Sequence, residues 1–276
     1  MNISAQEVNK LRQQTGAGMM DCKKALVEAE GDFDKAIELL RKKGQKVSAS
    51  RADRVASEGA ILAKSTGSKG VILELNCETD FVAKNSDFLG YGDSLLTVAI
   101  DANPASPEQL LALSHNGLKL SDMMLDTVGK IGEKIEIGSY QTLEAETVIT
   151  YIHPGARLGV MVGFAGTTGL NLDAVGKDIA MQIAAMNPVA VDQDGVDATI
   201  VQKEIEIGKE QARQEGKPEA MLEKIALGKL NKFYKENTLL NQDFVKDASK
   251  TVSQFLKETN PNLKVVGFRR VQLGAR

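Results

Sequence analysis

The spacing of apolar positions changes several times along the chain, and each change marks an element. Ser4-Ala5-Gln6-Glu7 reads as a capping box in which Ser4 caps a helix and Glu7 reaches back to it. Val8 and Leu11, with Ile3, then share one face. After a turn at Thr15-Gly16-Ala17-Gly18, Met19 to Glu30 returns as a helix. Met20, Lys24 and Val27 fall there in helical steps, with Ala25 and Leu26 between them. Gly31-Asp32 breaks that helix, and Asp34 to Lys43 forms a third one carrying Ala36, Ile37 and Leu40. Residues 1–45 thus predict a three-helix bundle with a core too thin for much stability alone.

Beyond it the period shifts to that of strands. Ala60 to Lys64, a turn at Thr66-Gly67-Ser68, and Val71 to Leu75 predict a β-hairpin. A helical pattern follows from about Phe81 to Asp101-Ala102-Asn103-Pro104. The same succession returns later. Val148 to Ile152, a turn at His153-Pro154-Gly155, and Leu158 to Val162 form a second hairpin, followed by a helix from Asp173 to Ala185 and by Met186-Asn187-Pro188. Two such halves predict an α+β fold with a duplicated antiparallel hairpin-plus-helix core. A helix from Asp122 to Gly132 and a strand from Lys134 to Tyr140 lie between them, and a helix at Val252–Glu258 and a strand at Val265–Val271 close the chain.

Residues 196–236 have a different texture. Val201, Ile205, Gly208 and Ala212, then Leu222, Ala226, Leu230 and Phe233, step along two helices joined at Gly216-Lys217-Pro218. Basic and acidic side chains are balanced there, so a charged antiparallel helical hairpin with one narrow apolar seam, a protruding arm, is expected. The organisation is therefore a bundle at 1–45, a basic linker at 46–58, a first core subdomain at 59–145, and a second at 146–276 that includes the arm.

Composition narrows the classes of function. The length of 276 residues suits about two domains. Hydrophobic residues at 42% and charged residues at 26% exclude a wholly disordered chain. No apolar run approaches the roughly 18 residues of a membrane span, and the polar N-terminus gives no expectation of a secretory signal. Cys22 and Cys77 lack metal-ligand spacing and suit two reduced thiols in a cytoplasm. Arg41, Lys42, Lys43, Lys46, Arg51 and Arg54 face only Asp53 in a basic run, which reads as a solvated helix end or as a contact for RNA or an acidic partner. The net charge of −3, the absence of Trp and the 4% aromatic content argue against direct nucleic-acid binding.

No catalytic constellation stands out. Gly16-Ala17-Gly18 lacks the Lys-Ser/Thr of a phosphate loop, and there is no nucleophile elbow or HExxH. His115 reads as a surface residue, and His153 sits in a hairpin turn. The locally unusual stretch is Asn76-Cys77-Glu78-Thr79-Asp80-Phe81-Val82-Ala83-Lys84-Asn85, which joins a buried strand to a helix. Thr79 or Asp80 can cap that helix. Phe81, in its first turn, is either a core or staple residue or an exposed apolar probe. Glu78 and Asp80 make only a weak Mg²⁺ pair without further ligands.

Three of these segments, in order, carry a resemblance. Thr15-Gly16-Ala17-Gly18-Met19-Met20-Asp21-Cys22-Lys23-Lys24-Ala25-Leu26 resembles the N-terminal signature of the bacterial translation elongation factor Ts family. Asn76-Cys77-Glu78-Thr79-Asp80-Phe81-Val82-Ala83 is similar to its second signature, and His153-Pro154-Gly155-Ala156-Arg157-Leu158-Gly159-Val160 to its third. Gly216-Lys217-Pro218 and Val265-Val266-Gly267-Phe268 also match. The resemblance implies a guanine nucleotide exchange factor for the GTPase elongation factor Tu, in GDP-bound and nucleotide-free forms, with no cofactor, metal site or catalytic residue of its own. It implies a ubiquitin-associated-like fold for the bundle, with Arg12, Met19 and Met20 on the partner. It implies that Thr79, Asp80, Phe81 and Val82 form a wedge, Phe81 inserting between partner helices and Asp80 perturbing the Mg²⁺ region. His153 is a further partner contact by the same match, and the arm serves self-association or braces the partner. Some members extend past the last strand into a C-terminal helix; this chain stops at Arg276, so that contact is expected to be absent.

Overall fold

The computed structural model describes residues 3–275, and Met1, Asn2 and Arg276 lie outside the described residues. It is an α+β protein with antiparallel sheets. Helices α1 (Ala5–Thr15), α2 (Met19–Glu28) and α3 (Phe33–Ser50) come first. Ser4 and Glu7 form the capping box, and Val8, Leu11, Cys22, Ala25, Leu26, Ala29 and Ala36 make the core of the three helices. Met20 and Val27 point outward, because Cys22, Ala25 and Leu26 fill the space against α1 and α3.

Helix α3 also overruns its expected end at Lys43 and continues through Gly44 into the basic stretch read as a linker. Gly44 acts here through its missing side chain. A Cβ at this position would stand 2.5 Å from the backbone oxygen of Leu125, so glycine lets α3 press directly on a later helix.

Strands β1 (Glu58–Thr66) and β2 (Lys69–Cys77) form the first hairpin. The helical stretch expected from Phe81 onward is two helices, α4 (Asp80–Ala83) and α5 (Ser86–Ala102). The break falls where the Asn85 side chain accepts from the N–H groups of Asp87 and Phe88 and starts α5 afresh. Two small elements had no sequence signal, α6 (Pro107–Ala112) and the ribbon β3 (Ser114–His115) with β4 (Leu118–Lys119). Next come α7 (Leu120–Ile131) and β5 (Glu136–Glu144).

In the second half, β6 (Thr147–Ile152), β7 (Leu158–Ala165) and α8 (Asp173–Met186) follow in turn. The arm is α9 (Ala198–Gln214) and α10 (Glu219–Asn237), joined through Gly216 at φ +73°. Gly208, Ala212, Leu222, Ala226 and Leu230 are buried along its seam. A ribbon of β8 (Asp243–Phe244) and β9 (Asp247–Thr251), then α11 (Val252–Thr259) and β10 (Lys264–Gln272), complete the chain.

The two main sheets share one topology. Their orders are β1-β2-β5 and β6-β7-β10, with the second hairpin strand central in each. Side-chain alternation explains why β2 and β7 read as continuous apolar runs. Val71, Leu73 and Leu75 join the core under α5, whereas Ile72 faces the other sheet. Val160, Val162 and Phe164 join the core under α8, and Met161 meets Ile61, Ile72 and Val148 between the sheets. Among the described residues, no helix is long and apolar enough to cross a membrane.

Candidate partner-binding site

Strand β2 ends at Cys77, and the chain turns through Glu78 and Thr79 into the single helical turn α4. Thr79 is its N-cap and accepts from the Val82 N–H at 3.4 Å. Successive residues of a helix point about 100° apart, so when Val82 turns into the core, Phe81 turns away from it. Val82 is buried with Cys77 and Phe88, and Phe81 is 82% exposed. The two readings left open for Phe81 thus resolve to the exposed one. Val82, expected at the partner surface, instead faces the core and anchors the turn. Asp80 is exposed and pairs with Lys84 one turn on, at 3.0 Å.

The turn is held from several sides. The Cys77 thiol donates to the Thr79 carbonyl at 3.1 Å. Burial, followed by the negative charge of Glu133, pushes that thiol up to about 12, so it stays protonated at neutral pH. Glu133 follows Gly132, whose left-handed backbone (φ +79°) ends α7 and turns the chain toward β2. The Glu133 carboxylate accepts from the N–H groups of Glu78 and Thr79 at 3.1 and 3.0 Å, and from the Thr79 hydroxyl at 2.7 Å.

The Glu78 carboxylate accepts in turn from the Lys134 N–H at 2.8 Å, from Arg51 and from Arg54. Burial pulls the Glu78 carboxyl upward, but the Lys134 N–H and the two guanidiniums outweigh it and hold it below the ordinary carboxylate range. Glu78 is therefore committed to these donors rather than to a metal pair with Asp80. Among the described residues there is no cluster of three or more His, Cys, Asp or Glu side chains suited to a metal. Sequence reasoning missed Glu133. Its one local signal was the helix-ending Gly132 immediately before it.

His153 lies in the β6–β7 turn, exposed, with Nδ1 2.9 Å from the Tyr151 hydroxyl. That turn is tied to the Phe81 side of the fold. The Ala156 carbonyl accepts from the Ile61 N–H at 2.7 Å. Arg157 pairs at 2.6 Å with Glu58, the residue opposite Cys77 in the β1–β2 ladder. The structure thus brings the turns of Phe81 and His153 to the same end of β1.

Arg12, Met19 and Met20 form a separate group. Arg12 is exposed near the end of α1, and Met19 and Met20 open α2 at 50% and 63% exposure, across the Thr15–Gly18 turn. Their helices connect to the Phe81 turn through α3, which ends at Ser50, next to the Arg51 that grips Glu78.

Known proteins place this arrangement in a family. A family model described as Elongation factor TS matches residues 78–275. The chain is 53% identical to Elongation factor Ts of Amoebophilus asiaticus over 277 aligned positions, covering 100% of both chains. It is 54% identical to Elongation factor Ts of Cytophaga hutchinsonii over 98% of this chain and 99% of that one. Elongation factor Ts of Christiangramia forsetii is 53% identical over 99% of each. With full-length identity at this level, and the signature turns folded as described, the chain belongs to the elongation factor Ts family.

Proposed function

We propose that this chain is a guanine nucleotide exchange factor for elongation factor Tu. It binds the GDP complex, dislodges Mg²⁺ and GDP, and so permits GTP loading during translation elongation. The observation that carries the reading is Phe81, a large apolar side chain 82% exposed between the core-anchored Val82 and the exposed, Lys84-paired Asp80. A side chain so placed gains nothing for the fold and is available to a partner.

The mechanism is one of linkage. A GTPase that holds nucleotide at nanomolar affinity binds it by about 12 kcal/mol. A factor that binds the nucleotide-free state more tightly than the loaded one weakens the nucleotide reciprocally. Burying Phe81 in an apolar cleft contributes roughly 1.5–3 kcal/mol, so the wedge acts with other contacts. Asp80 disturbs the partner's Mg²⁺ region. Thr79 and Val82 hold the wedge from behind, and Arg12, Met19, Met20 and His153 supply further contact surface. The protein contributes binding energy and no bond chemistry, so it has no turnover of its own.

The finer architecture follows the same reading. Residues 1–45 form a ubiquitin-associated-like partner-binding bundle that α3 carries into the basic 46–58 stretch. Residues 59–145 and 146–276 are the duplicated core subdomains. The arm at 196–236 serves self-association or braces the partner. The site of action is the cytoplasm, without direct nucleic-acid contact. The test is release of fluorescent GDP from preloaded elongation factor Tu. Substoichiometric chain should accelerate release over many cycles; release at the spontaneous rate would overturn the proposal.

A further inference from the structure

Phe81 is 82% exposed, and α4 is a single turn, the kind of helix that does not hold itself together in isolation. Its direction must be imposed from outside. Resting on the exchange reading above, we propose that Glu133 is a positioning residue for Phe81: its carboxylate clamps the Glu78–Thr79 backbone and thereby fixes the line along which the phenylalanine meets the partner.

The hydrogen bonds define the clamp. One Glu133 oxygen takes both consecutive N–H groups, Glu78 at 3.1 Å and Thr79 at 3.0 Å, and the other takes the Thr79 hydroxyl proton at 2.7 Å. That last bond orients the hydroxyl. With its proton committed to Glu133, its lone pairs are left for the Val82 N–H, the bond that starts α4. Glu133 therefore sets the cap, and the cap sets the helical turn that carries Phe81.

A second carboxylate crosses in the opposite direction. Glu78 accepts from the Lys134 N–H at 2.8 Å while Arg51 spans both its oxygens at 3.0 Å and Arg54 adds a bond at 3.1 Å. Each loop gives its carboxylate to the backbone of the other, so neither can rotate without breaking charge-assisted bonds on both.

The hydrophobic core does not require this arrangement. Cys77 and Val82 are buried on either side of the turn, whereas Glu133 is only half-buried at the rim. What the clamp adds is preorganisation. A turn left free would have to be ordered at the moment of binding, and that cost would be subtracted from the energy available to expel nucleotide.

A double-mutant cycle tests the assignment, with fluorescent-GDP release from elongation factor Tu measured at subsaturating and saturating factor. Glu133→Ala should slow subsaturating exchange about tenfold by loss of charge-assisted bonds, with a cooperative melt retained. Glu133→Gln, which keeps an acceptor for the two N–H groups but turns an NH2 toward the Thr79 hydroxyl, should recover only part of the rate. In a Phe81→Ala background, Glu133→Ala should cost less than about twofold more. Equal losses in both backgrounds, or wild-type exchange by a folded Glu133→Ala, would overturn the positioning role. Should Glu133→Ala fail to fold, Glu133→Asp carries the same cycle, since it is one methylene too short to span all three donors. A loss confined to the background with Phe81 supports the proposal, and any other pattern defeats it. Wild-type exchange by Phe81→Ala alone would instead remove the wedge reading, a failure distinguishable from that of the clamp.

Discussion

Truncating Phe81 to alanine separates a role in folding from a role in binding, because its exposure makes the two predictions differ widely. A buried phenylalanine reduced to alanine costs about 3–5 kcal/mol of stability. Phe81 is 82% exposed, so its removal should shift folding stability by no more than about 0.5 kcal/mol. Nearly all its apolar surface is still available for burial in a complex, worth roughly 1.5–3 kcal/mol. At about 1.4 kcal/mol per factor of ten, GDP release at subsaturating factor should slow about 10- to 100-fold. Stopped-flow release of fluorescent GDP gives the rate, and thermal melting by circular dichroism gives the stability of the same samples. Equal exchange rates for the two proteins would refute the wedge, and a collapsed melt would show that the side chain belongs to the core.

Three further outcomes are expected. Gly44→Ala should destabilise the fold by about 1 kcal/mol net, because parting α3 from the Leu125 backbone costs about 1–3 kcal/mol against a helix-propensity gain of about 1; a higher melting temperature would show that the close approach is not limiting. Asp80→Ala removes only an exposed pairing with Lys84, so it should melt like wild type while flattening the Mg²⁺ dependence of GDP release, and an unchanged Mg²⁺ titration would leave Asp80 without that role. The Glu78 carboxyl is held below its ordinary value of 4.5, so its contribution is fully present above that pH and disappears as pH falls through the lower folded value. The denaturant-stability gap between wild type and Glu78→Gln should therefore be steady from about pH 8 to about pH 5 and shrink in stronger acid; a gap that widens on acidification would contradict the sign.

Local chemistry was legible in the sequence, and tertiary decisions were not. The Ser4–Glu7 capping box depends on residues three apart and could be read directly. The hairpins at β1–β2 and β6–β7 announced themselves by strand-length apolar runs around glycine-containing turns. Gly44 looked like a helix end because its reason for being glycine, the backbone of Leu125, lies far along the chain. Phe81-Val82 presents two neighbouring apolar residues in a single turn, and only the core under α5 decides that Val82 goes in and Phe81 out. Glu133 had only the helix-ending Gly132 before it as a local signal, since its partners at 78 and 79 are remote in sequence. The short elements α6, β3–β4 and β8–β9 hold too few residues for a period to emerge.

The overrun of α3 changes how binding energy can be used. Had residues 46–58 been a loose tether, the surface around Met19 and Met20 would act as an independent module, raising the local concentration of the wedge but unable to push it. Instead α3 leaves the bundle, presses on α7 where Gly44 meets Gly129, and delivers Arg51 to Glu78. Helix α7 is pinned to α5 through Lys130 and Asp87 at 2.7 Å and delivers Glu133 to the same turn. Both helices that leave the bundle interface therefore end on the two carboxylates behind Phe81. On the exchange reading proposed above, a wedge worth roughly 1.5–3 kcal/mol would oppose a nucleotide held by about 12, and contacts elsewhere would strain the partner at the wedge only through a connection that does not yield. On that reading, docking energy gained at α1 and α2 would be delivered as strain where Phe81 enters the partner.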